Sequence, residues 1–149
     1  ITGYGVLDSE EPGALKGDTV STHVEGTFEM TSWDEKPYIE LQGQSKLTTA
    51  SIVQEFDGDV VATGTNDLVM FYREDGTAVF TGYERMVGRI GDRGGSFVLE
   101  ATGTFDGNEA RTTVTVVPGS GTLGLAGLSG SGVWAAPHGN SGTYTFDID

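Results

Sequence analysis

Four acidic–glycine punctuations constrain this chain more than any other feature: Asp57-Gly58-Asp59, Glu74-Asp75-Gly76, Gly91–Gly95 and Asp106-Gly107-Asn108. Such tripeptides between apolar runs are strong hairpin signals, because glycine reaches positive φ without a Cβ clash and aspartate caps the turn. The runs between them alternate in period two and are rich in Thr, Val, Ile and Phe, the residues that suit a pleated surface. Strands are expected over Gly26–Trp33, Ile39–Leu41, Lys46–Phe56, Val60–Thr65, Asp67–Arg73, Thr77–Ile90, Ser96–Phe105, Glu109–Val117, Gly132–Ala136 and Gly142–Ile148, with a turn or bulge at Asp34–Pro37. No stretch carries a convincing helical period. The expected class is all-β: a single antiparallel meander of about eight strands closed as a barrel, since closure removes the edges that a sheet would leave open. Residues 1–25 mix Tyr4, Val6, Leu7 and Leu15 with Asp8, Glu10, Glu11 and Asp18 and a Pro-Gly break. They read as an N-terminal extension and a lid over the barrel domain of residues 26–149.

A second concentration of glycine lies in Val116–Gly132, where Leu123, Leu125 and Leu128 stand between glycines. The expectation is a tight turn and a curved strand at a barrel corner, where backbone passes close to backbone. Gly119-x-Gly121-x-x-Gly124 also matches a dinucleotide fingerprint, but the residues that follow make a poor helix and no βαβ unit surrounds them, so the nucleotide reading fails. The 24 glycines of the 149 residues are read as punctuation between many short strands.

Composition excludes several classes. The net charge of −14 disfavours nucleic acid and anionic membranes as partners. With no cysteine there is no disulfide, thiolate nucleophile or Cys-based metal site. No apolar run is long enough to span a membrane as a helix, and the first residues lack a signal peptide's regions, which gives a cytoplasmic expectation. The two histidines, His23 and His138, are far apart in sequence and make a weak metal site; Asp57-Gly58-Asp59 fails the EF-hand spacing at Val61. No metal or cofactor is expected.

Projected onto alternating faces, three polar residues fall among apolar ones. Glu84 shares a face with Phe80, Gly82 and Met86, Gln54 with Ile52 and Phe56, and Tyr72 with Leu68 and Met70. A carboxyl on an apolar face has a raised pKa and suits general acid–base work, unless backbone amides or an arginine satisfy it. Gln54 and Tyr72 suit the orientation of a ligand carbonyl. These three form the candidate catalytic set. Trp33, Met70, Trp134, His138, Tyr4 and Leu7 are the candidate walls for a substrate.

The segments Thr27–Tyr38, Gly82-Tyr-Glu-Arg85, Gly94–Leu99, Val117–Thr122, Leu125–Leu128 and Ala136–Gly139 occur in the order seen in the bacterial DUF3224 family, and the chain resembles that family over residues 22–149. The resemblance implies a barrel similar to allene oxide cyclase, a lipocalin-like fold that binds apolar small molecules. Two departures from the family's tendency stand out: Ala101 where the family tends to have His, and Thr113 where it tends to have Trp. If both positions face inward, the cavity is larger than in relatives, which adds Ala101 and Thr113 to the candidate substrate contacts. The leading expectation is therefore a cyclase or isomerase of natural-product biosynthesis. It would template a Diels–Alder-type closure of a polyketide-like substrate without a cofactor, and a homo-oligomer is compatible with it. The alternatives are a non-catalytic carrier barrel, an acid peptidase built on Asp57 or Asp59, and a filled barrel serving as an interaction module.

Overall fold

In a computed structural model the described residues are 21–40, 43 and 45–149. Eight strands follow one another around a closed antiparallel barrel: β1 (Thr22–Glu40), β2 (Lys46–Gly58), β3 (Val60–Tyr72), β4 (Ala78–Ile90), β5 (Arg93–Phe105), β6 (Ala110–Val116), β7 (Gly130–His138) and β8 (Ser141–Ile148). β8 closes on β1 through the pairs Thr22↔Ile148 to Glu29↔Ser141. The all-β eight-stranded barrel expected from the hairpin spacing is the observed fold. Of the expected extension and lid over residues 1–25, residues 1–20, with Tyr4 and Leu7, lie outside the described residues, and Thr22 to Glu25 form the start of β1.

The strands are longer than the glycine spacing suggested. Val60–Thr65 and Asp67–Arg73 are one strand, β3, and the turn expected at Asp34–Pro37 lies within β1. Many glycines are therefore interior to strands. Gly26, Gly103, Gly132 and Gly142 each face an aromatic ring on the neighbouring strand: Tyr144, Phe80, Phe146 and Phe28 respectively. A Cβ at any of these four would collide with the ring or with backbone. The ring occupies the space the side chain would need, so glycine here is a packing residue.

The Val116–Gly132 segment is a plug and not a curved strand. Past the end of β6 it continues along β5, where Val117 N–H donates to Val98 O (2.9 Å) and Thr122 N–H to Ser96 O (2.9 Å). The Ser120 and Thr122 hydroxyls accept from the backbone N–H groups of Val98 and Ser96, both at 3.0 Å. A short 3-10 turn, Leu123–Leu125, then delivers Leu125 and Leu128 into the barrel end, where both are buried. Leu123 takes positive φ (53°) and points outward.

Above this plug one half of the interior is filled by aromatic packing. Phe56 contacts Phe28, Trp134 and Tyr144 at ring-centroid distances of 5.5, 5.4 and 5.5 Å. Phe97 stacks on Phe146 at 6.2 Å. The Tyr144 hydroxyl accepts from Val60 N–H and donates to Asp57 O, both at 2.8 Å, which pins the β2–β3 hairpin to the closed end. Asp57 and Asp59 spend their carboxylates on that hairpin, accepting from the N–H groups of Gly58 and Glu25. One oxygen of Asp57 thus caps the turn, and one oxygen of Asp59 ties the turn to β1.

Candidate functional site

The other half of the barrel is open. A cavity of about 180 Å³ occupies it, bounded below by Trp134 and Glu84 and reaching the barrel end where β3 and β5 finish, beside the partly exposed Tyr72 and Phe105. Ile52, Leu68, Met70, Phe80 and Ala101 form its apolar wall. Small-molecule sites generally have this character, an apolar concavity with a few convergent polar groups.

Glu84 sits at the base. It is 1 % exposed, and β3 pairs Asn66 directly opposite it. The Trp134 indole N–H donates to Glu84 Oε1 at 3.0 Å, while Oε2 has no hydrogen-bond partner. Burial pushes the Glu84 pKa up to about 7; the Trp134 hydrogen bond and the Asn66 amide pull against it and do not cancel it. Asn66 thus eases ionisation without closing a hydrogen bond of good geometry onto Oε2. The carboxyl fits only because residue 64, on the adjacent strand, is glycine: a Cβ there would overlap Glu84 Oε2 and crowd Met86 and Phe56. Gln54 is 5 % exposed, lines the same cavity, and its Oε1 also lacks a partner.

The rim carries a second polar group. Glu35 Oε2 accepts from the Thr48 hydroxyl (2.6 Å) and Oε1 from the Trp33 indole (3.0 Å). Burial raises the Glu35 pKa, but the hydrogen bonds from Thr48, Tyr72 and Trp33, with Lys46 nearby, outweigh it and hold the carboxylate below its ordinary value. Burial raises the Tyr72 pKa and Glu35 adds to it, so the phenol stays protonated. Lys46 Nζ lies 5.1 Å from the Tyr72 ring centroid. The two carboxyls are thus shifted in opposite directions, Glu35 downward at the rim and Glu84 upward to about 7 below it.

Of the residues singled out from sequence, Glu84, Gln54, Tyr72, Trp33, Met70, Trp134 and Ala101 all line this cavity. Thr113 does not. It is exposed on the outer face of β6, and Thr112 takes the inward place. Of the two small residues, Ala101 alone lines the cavity. His138 ends β7, and its side chain lies outside what is described. His23 lies at the closed end, where hydrogen bonds to Asp147 (2.8 Å) and Glu25 (3.1 Å) raise its pKa, so the two histidines belong to opposite ends of the barrel.

Trp33 reaches the cavity through a break in register. Met30 pairs with Gln54 and Ser32 with Val53, so Thr31 is an extra residue, and Trp33, opposite Ile52, turns inward with Met30. The same shift brings Glu35 to the inward side, opposite Ala50. Glu35 and Asn66 are the polar residues that sequence reasoning missed. Asn66 carried a usable signal, since it alternates with Gly64 and Leu68 on the face opposite Glu84. Strict alternation read across Thr31 hid Glu35. Among the described residues no group of three His, Cys, Asp or Glu side chains could hold a metal ion, and no helix is long and apolar enough to cross a membrane.

Barrel, cavity and buried carboxyl define a small antiparallel β-barrel with one open half. Residues 24–148 match the family described as protein of unknown function DUF3224, and the chain belongs to that family. It is similar to a solved structure from the same family, a protein of unknown function from Shewanella oneidensis MR-1, with 27 % identity and a TM-score of 0.71 over 87 % of this chain and 98 % of that one. No curated protein matches the chain.

Proposed function

We propose that this protein holds one small, largely apolar molecule in the open half of the barrel and moves a proton on it with Glu84, as an isomerase or a ring-closing enzyme. The observation that carries this reading is the Glu84 carboxyl: fully buried, near neutrality in pKa, with one oxygen that has no partner, on a residue that lines an apolar cavity. Such a group takes a proton from one atom of a bound molecule and returns it to another, so an isomerisation balances without a co-reactant. Trp134 holds the carboxyl in place, and Trp134 and Asn66 favour its charged form. The apolar wall excludes water and orients the molecule.

Cavity size bears on the substrate. A cavity of about 150 Å³ is known to hold one benzene ring, so the space of about 180 Å³ here suits one ring. A polyketide-like substrate would place one reacting ring inside and lie across the rim beside Trp33 and Tyr72. A Diels–Alder-type closure of such a substrate would draw on the walls alone and leave Glu84 idle.

The test uses 2-hydroxycyclohexanone, a one-ring α-hydroxy ketone, incubated with the full chain in deuterated buffer and followed by NMR. Deuterium incorporation at the hydroxyl-bearing carbon should rise with pH through 7 and fall by ~100-fold or more in Glu84→Gln. Binding without exchange would make the barrel a carrier. Exchange undiminished in Glu84→Gln would remove Glu84 from the chemistry.

A further inference from the structure

We infer that the cavity selects a neutral or cationic one-ring compound ending in an O–H or N–H group, and rejects carboxylic acids. This rests on the binding reading above and adds the chemical class of the ligand. Among the described residues, the buried side-chain polar atoms without a partner are Gln54 Oε1 and Glu84 Oε2, and both residues line the cavity. Both atoms are acceptors in the ionised site. A buried acceptor stripped of water is destabilising until something donates to it. A ligand hydroxyl can donate to Gln54 Oε1 and accept from a protonated Glu84; an ammonium can donate to either oxygen. A hydrocarbon would fit the walls and leave both oxygens orphaned.

Charge points the same way. Among the described residues that line the cavity there is no lysine, arginine or histidine. Lys46, at the rim, already lies over Tyr72 and acts on Glu35. A carboxylate would enter beside Glu84 with no counter-charge, against the field of a chain carrying −14. The aromatic side chains of Trp33, Tyr72, Phe80 and Phe105 favour a ring and tolerate a cation.

The experiment titrates the full chain at pH 7 with four probes of matched size: toluene, benzyl alcohol, benzylamine and phenylacetate. Tryptophan fluorescence and ligand NMR report binding. Benzyl alcohol and benzylamine should bind at least about tenfold tighter than toluene, the effect of one buried hydrogen bond, and phenylacetate at least about tenfold weaker. In Gln54→Leu the preference for the alcohol over toluene should shrink several-fold while toluene binding persists. If that variant does not fold, the wild-type series alone decides. Toluene binding as tightly as the alcohol, with both lost when Ala101→Phe fills the cavity, would overturn the donor inference and leave the cavity reading intact. Phenylacetate binding most tightly would also overturn it. No probe binding to wild type up to its solubility would sink both readings.

Discussion

The same eight strands build two unlike halves. Toward the Leu125–Leu128 plug, every inward position is filled, and Phe28, Phe56, Tyr144, Phe97 and Phe146 interlock across glycines that give up their side chains. Toward the other end the inward positions include Gln54, Asn66, Glu84 and Ala101, and the interior is left partly empty. Trp134 belongs to both: its ring packs on Phe56 at 5.4 Å and its N–H holds Glu84 at 3.0 Å. The contrast separates duties. The filled half supplies stability, and that surplus supports a buried carboxyl and a cavity that would each destabilise a marginal domain.

Truncating an aromatic in the filled half should break this arrangement most severely. Phe56→Ala should lower unfolding free energy by ~3–5 kcal/mol in urea titrations, because the cavity it leaves is walled by rigid rings. Met70→Ala, in the open half, should sit near the low end of the ~2–5 kcal/mol range, since it only widens an existing space. Equal losses would dissolve the distinction between the halves.

The next effect is electrostatic. The Glu84 pKa is raised from 4.5 to about 7 on folding, so the folded state binds more protons than the unfolded state between those values. Its contribution to stability is complete below the unfolded value and is lost as pH rises through about 7, a drop of ~3 kcal/mol. Glu84→Gln should flatten that slope and be more stable than wild type at pH 9. Gly64→Ala follows, with a loss of ~1–3 kcal/mol from overpacking against the carboxyl. Adding Glu84→Ala to it should recover part of the loss, which would locate the clash. Tyr144→Phe should cost about 1–2 kcal/mol by leaving Val60 N–H buried without its acceptor.

Sequence made the filled half and the barrel legible because hairpin chemistry and period-two alternation are local signals. Glu84, Gln54 and Tyr72 stood out as polar residues on apolar faces, and all three line the cavity. The open half was harder to read for two physical reasons. A single extra residue at Thr31 reverses the facing of β1 from Ser32 to the next register shift at Pro37–Ile39, which brings Glu35 inward from a stretch that reads as a turn or bulge. Asn66 was read as a break between two strands, although β3 runs through it. On β6 Thr113 was singled out by its departure from the family's tendency, and its neighbour Thr112 takes the inward place. The glycine segment misled because glycine signals close approach without naming the partner, which here is the edge of β5 beyond β6.

The account turns on Glu84 being a titrating carboxyl that faces a ligand. Carboxyl-carbon NMR of the full chain labelled at glutamate tests this directly, by pH titration with and without benzyl alcohol. The account predicts one glutamate resonance titrating near 7, absent in Glu84→Gln, whose midpoint moves when the alcohol is present. Every glutamate titrating in the ordinary carboxylate range, or a Glu84 resonance that ignores the alcohol, would contradict it.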